Sequence, residues 1–190
     1  MTPPREEIVS SLEGAWGLAR RDPAALQRFN LTVEGFWNSF YAAVLCAPGY
    51  LLLVAHQYVT RGSGAGFGTI LIIETLAYAV GWLVFPVTAA ILTRMLGLGH
   101  RYAILVIAAN WSTVLQVALL VAALLLSGLM PAAQGNYLTL AATLVALVYQ
   151  WHVIRTALAT TGLIAFGIVV IDIILSVLLN STTDRLLQVG

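Results

Sequence analysis

Five long apolar runs, parted by short polar breaks, take up most of a chain of only 190 residues. They extend from about Phe36 to Val59, Thr69 to Thr93, Tyr102 to Leu126, Tyr137 to Val153 and Thr161 to Leu179. A hydrocarbon layer about 30 Å thick takes roughly 20 apolar residues in a helix, so each run suffices for one crossing. The fourth is the shortest, and it can continue through Leu158 with Arg155 reaching toward the headgroups. Strands of a membrane barrel would alternate in character over about ten residues, whereas these runs are continuous. Hydrophobic residues make up 60% of the chain and charged residues 9%, where soluble domains have about 45–50% and 25%. The expected fold class is therefore all-α: an integral membrane bundle of five transmembrane helices with a short N-terminal amphipathic helical segment. Residues 1–35 form that segment, 36–180 the bundle and 181–190 a short C-terminal tail.

Arginine placement predicts the orientation, because loop arginines resist translocation while acidic residues count for little. With the N-terminus in the cytoplasm, Arg5, Arg20, Arg21, Arg28, Arg94, Arg101 and Arg155 lie inside, and only Arg61 and Arg185 lie outside. The expectation is a multi-pass protein of the cell membrane, in a bacterium the inner membrane, with its N-terminus cytoplasmic and its C-terminus outside. The first 30 residues are polar and charged and lack the apolar centre of a secretory signal. A net charge of +1, with no basic stretch beyond Arg20-Arg21, argues against nucleic-acid binding.

Residues 5–21 read as an amphipathic helix, with Ile8, Leu12, Trp16 and Ala19 spaced to share one face. This helix is expected either on the cytoplasmic leaflet, with Trp16 at headgroup depth, or packed against the cytoplasmic loops. Asp22-Pro23 then predicts a fresh helix start, with Asp22 as cap and Pro23 at the first helical position.

Polar residues inside the spans are the candidate functional groups. Asp172 lies near the centre of the fifth span, where an ionised Asp costs about 2.5–3.5 kcal/mol. Its side chain should face the bundle interior or carry its proton, with Asn110 and Thr113 at similar depth as possible partners. It reads either as a proton- or cation-binding carboxylate or as a structural contact between helices. Glu74 in the second span and His56 in the first lie at similar depths on an antiparallel hairpin. They could form a proton relay or a structural hydrogen bond. Toward the cytoplasmic side, Arg94, Arg101, His152 and Arg155, with His100, Trp151 and Tyr102, fit positive-inside anchoring or a phospholipid-headgroup pocket. Pro48-Gly49 and Pro86 predict kinks. The run Gly62-Ser63-Gly64-Ala65-Gly66-Phe67-Gly68 reads as a flexible connection, since it lacks the Lys-Ser/Thr of a P-loop. Cys46 is the only cysteine, and it has no metal-ligand spacing. No cofactor or metal site is expected, nor any catalytic residue, as neither H-E-x-x-H nor G-x-S-x-G occurs.

The segment Asp22-Pro23-Ala24 before Leu31-Thr32-Val33-Glu34-Gly35-Phe36-Trp37 resembles the pre-membrane stretch of bacterial members of the Yip1-like family. The resemblance covers about the first third of the chain, and beyond it only the number of spans is shared. It implies a cytoplasmic N-terminal segment followed by a compact five-span bundle, and it carries over no functional residue. Two functional classes follow. The first is a non-enzymatic scaffold, accessory or lipid-organising membrane protein, with membrane lipids and a protein partner or second copy as its contacts. The alternative is a small proton-coupled transporter or permease using Asp172 and Glu74.

Overall fold

The computed structural model describes residues 2–22, 24–61 and 65–189, and every regular element among them is helical. In chain order these are α1 (Arg5–Ala19), α2 (Val33–Ser39), α3 (Tyr41–Arg61), α4 (Phe67–Met95), α5 (Tyr102–Ser127), α6 (Ala132–Leu158) and α7 (Gly162–Val189). Short 3₁₀ turns occupy Ala25–Arg28 and Gly99–Arg101. Five stretches are long and apolar enough to cross a bilayer: Val33–Thr60, Phe67–Met95, Gly99–Ser127, Ala132–Leu158 and Gly162–Leu187. This is the pattern of a multi-pass helical membrane protein. The glycine-rich Gly62-Ser63-Gly64 and the helix-starting Pro23 lie outside the described residues.

Several boundaries differ from those read off the apolar runs, each for a local reason. The first span is two helices, α2 and α3, parted at Phe40; the Thr32 hydroxyl caps α2 by accepting from the Gly35 amide at 3.1 Å. The fourth span, expected to be the shortest, is 27 residues long. Pro131 at its N-cap starts it five residues before Tyr137, because helix geometry tolerates the polar residues that ended the apolar run. Residues 181–189, expected as a tail, continue α7. There the Thr182 and Thr183 hydroxyls donate to the Leu178 and Leu179 carbonyls at 2.8 and 3.1 Å, which spares the helix their competition.

Helix α5 is the hub: it packs against α1, α2, α3, α4 and α6, and Leu105 to Ala108 and Trp111 are buried there. Helix α4 packs more extensively on α7, which also packs on α6. Pro48 and Pro86 both sit within continuous helices. Beside Pro48, a Cβ on Gly49 would stand 2.6 Å from Val117 Cγ1, so this glycine is what lets α3 approach α5.

Helix α1 is part of the core. Ser11, Gly14, Ala15 and Leu18 form its buried side, Ile8 and Leu12 pack at the edge, and Trp16 is 59% exposed. The buried face is thus rotated from the one that Trp16 and Ala19 would have marked, because small residues let helices approach closely and an indole does not. The Tyr149 hydroxyl of α6 donates to the Ala15 carbonyl at 2.7 Å and lies 2.9 Å from Ser112 Oγ of α5. The following turn folds back onto α1 through Ser10 to the Arg28 carbonyl at 2.6 Å and an exposed Arg28–Glu13 ion pair at 2.8 Å. Asn38 of α2 donates to Glu7 at 2.9 Å. Asp22 is not the cap expected of it: the 3₁₀ turn starts at Ala25 with Ala24 at its N-cap, and the Asp22 carboxylate instead accepts from the Ala24 amide at 2.9 Å in a local turn.

Helix α1 ends in a Schellman turn: the Asp22 amide bonds the Gly17 carbonyl, and the Arg21 amide bonds that of Leu18. Arg21 therefore takes the left-handed position with φ 59°, and Ala159 does the same after α6 with φ 48°. For side chains other than glycine that conformation costs roughly 1–2 kcal/mol.

The tightest backbone approach is at Gly35, where a Cβ would lie 2.0 Å from the Asn30 carbonyl oxygen. Gly35→Ala is expected to destabilise the protein by about 1–3 kcal/mol, seen as a lowered thermal midpoint in detergent. Gly68→Ala, which meets open space, should leave the midpoint unchanged or raise it.

Candidate functional site: an acidic cavity between the spans

A cavity of about 360 Å³ lies among the five long helices. Tyr50 of α3 and Tyr78, Trp82 and Phe85 of α4 supply an aromatic wall. Asn110, Thr113 and Gln116 of α5, Gln150 of α6, and Asp172 and Asn180 of α7 supply the polar groups. Asp172 is the one formally charged residue among those lining it. The Gln150 amide nitrogen donates to one Asp172 oxygen at 2.7 Å. Among the described residues no second protein donor reaches that carboxylate, which faces a space large enough for a small ligand.

Asn110 and Thr113 line the same cavity as Asp172 but bond elsewhere. Asn110 donates to Ser39 Oγ at 2.9 Å, and Ser39 in turn to the Phe36 carbonyl at 2.7 Å, tying α2 to α5. The Thr113 hydroxyl donates to the Ala109 carbonyl of its own helix at 3.0 Å. Sequence depth therefore found the right level and the wrong partner. Gln150 was hidden by its place near the end of an apolar run, where a glutamine reads as a boundary residue.

Glu74 is 9% exposed and accepts two tyrosine hydroxyls, from Tyr50 at 2.6 Å and Tyr58 at 2.5 Å. His56 is exposed and is not its partner. Depth was again legible, but at 100° per residue His56 lies roughly 200° around the helix from Tyr58. Helices α3 and α4 share little backbone contact, so side chains join them. Besides the Glu74 clamp, the Tyr78 hydroxyl donates to the Ala43 carbonyl at 2.6 Å, and the Tyr50 and Tyr78 rings lie 4.5 Å apart. Tyr50 both holds Glu74 and lines the cavity, so the two acids belong to one polar system.

The basic residues at the other end of the bundle have separate settings. Arg101 donates to the Ala157 carbonyl at 3.1 Å, where it satisfies the C-terminal end of α6. Arg155 stacks over the Trp151 ring at 5.5 Å. Arg94 is exposed near the end of α4, and His152 turns toward α1. No cluster of three or more metal-ligating side chains occurs among the described residues. Comparison with known proteins gives no match to a family model, a curated protein or a solved structure.

Glu74→Leu leaves the half-buried Tyr50 and Tyr58 hydroxyls without their acceptor, where a fully buried group would lose about 1–3 kcal/mol. The variant is expected to melt well below wild type, with Tyr50→Phe and Tyr58→Phe falling between. A Glu74→Leu protein that melts like wild type would show that the clamp does not hold α3 to α4.

Proposed function

We propose that this is a non-enzymatic membrane protein of the small-permease class, which takes a small organic cation into the cavity between its helices. The observation that carries this reading is the Asp172 carboxylate lining a cavity that it shares with Tyr50, Tyr78, Trp82 and Phe85. A carboxylate supplies the charge that an ammonium group needs. Ring faces attract the same cation through their quadrupoles. The amides of Gln150, Asn110 and Gln116 orient polar groups on the solute. An intramembrane acid that no cation of the protein neutralises is by default a ligand or proton site.

Glu74 supports a coupled role. Tyr58, Glu74 and Tyr50 form a hydrogen-bonded series that ends at the cavity. A proton taken by Glu74 removes acceptor capacity from that series, and a proton on Asp172 competes with the solute cation. Exchange of protons for solute is the economical mechanism for such a pair. The scaffold or accessory class needs no acidic cavity, and it would stand if the cavity binds nothing.

Asp172→Asn keeps an acceptor for Gln150 and removes the charge, so the fold should persist. The expected outcome is a loss of roughly tenfold or more in affinity for a probe such as tetraethylammonium, about 1.4 kcal/mol per decade. Uptake of the same probe into proteoliposomes under an imposed pH gradient should disappear with it. Equal binding by both proteins, or none by either, would return the protein to the scaffold class.

A further inference from the structure

A second hollow, of about 320 Å³, opens where the end of α1 meets α5 and α6. It touches the Asp172 cavity only through Gln116, which lines both. Its trough is apolar, built from Leu115 and Leu119 of α5 and from Val145 and Val148 of α6. Its polar end has the Arg21 guanidinium, the His152 imidazole and the Trp16 indole. No acidic residue lines it, and Arg21 has no carboxylate partner among the described residues, where the one ion pair is Arg28–Glu13. Arg155, stacked over Trp151, brings a second guanidinium within electrostatic range of His152.

We propose that this groove binds one anionic phospholipid, with its phosphate held between Arg21 and His152 and an acyl chain along Leu115, Leu119, Val145 and Val148. The chemistry selects this occupant. A guanidinium fork matches phosphate oxygens, and indoles favour headgroup depth. A free anion would leave the apolar trough unused. The backbone points the same way. Arg21 occupies the left-handed place at the end of α1 that favours glycine, and from it the arginine reaches the mouth of the groove. This reading is independent of any solute at Asp172.

The test is native mass spectrometry of the full chain, extracted in mild detergent from vesicles of equal phosphatidylglycerol and phosphatidylcholine. One retained phosphatidylglycerol per chain is expected, with roughly tenfold enrichment over phosphatidylcholine for a site with the Arg21 guanidinium in its lining and that of Arg155 nearby. Arg21→Gly relieves the left-handed backbone, so it should melt no lower than wild type while its enrichment falls to near unity. Val148→Trp fills the trough and should abolish retention of both lipids. Retention in proportion to the vesicle composition, no retained lipid, or wild-type enrichment in Arg21→Gly would each overturn the proposal. So would phosphatidylglycerol kept by Val148→Trp or displaced by inorganic phosphate, which would mark a free-anion site. If Val148→Trp does not fold, the Arg21→Gly result decides alone.

Discussion

A carboxylate in a hydrocarbon layer must be given its donors by the protein, because no water is there to supply them. Two acids in this chain meet that demand differently. Glu74 is served by two tyrosines of the neighbouring helix at 2.6 and 2.5 Å, and it joins α3 to α4 where their backbones do not pack. Asp172 receives one donor, Gln150, and opens on a cavity. The first arrangement closes its valences within the protein and builds structure. The second leaves capacity for a ligand. One chemical need is thus met fully in one place and partly in another, and Tyr50, which holds Glu74 and lines the cavity, joins the two.

The division also explains the shape of the bundle. Helix α5 collects α1, α2, α3 and α6 around small and apolar contacts, with Gly49 admitting α3 and Trp111 filling the centre. Helices α4 and α7 form a second pair. Where the two groups face each other, the aromatic side chains of α4 and the polar ones of α5 to α7 enclose the space between them. Lipid offers no hydrophobic penalty that would collapse such a gap, so the long side chains that span it determine how wide it stays.

Span number and approximate length were legible because they depend only on the length of apolar runs, the one signal that a membrane makes simple. Rotation was not legible. In water the apolar face of a helix marks the core, but among lipids apolar residues face both the neighbours and the bilayer. That is why Ile8, Leu12, Trp16 and Ala19 suggested a face for α1 that the structure turns toward Ser11, Ala15 and Leu18. It is also why His56 was matched to Glu74 when Tyr50 and Tyr58 hold it. Tyrosines in apolar runs read as interface markers, and only the three-dimensional pairing reveals them as hydrogen-bond donors. The Asp172 level was found correctly, since depth follows from counting along one helix. Its contact with Gln150 required knowing which way α6 and α7 turn.

The seat of α1 has a consequence for the order of events in making the molecule. Tyr149 reaches Ala15 across 134 residues of chain, and the slot that receives α1 is walled by α5 and α6. During synthesis α1 thus finds no slot until α2 to α5 and most of α6 have been delivered. Val9 and Trp16, both half-exposed or more in the finished protein, give α1 an apolar edge with which to rest on a membrane surface in the meantime. An early segment of the chain is thereby locked late, only once α5 and α6 are both in place to receive it.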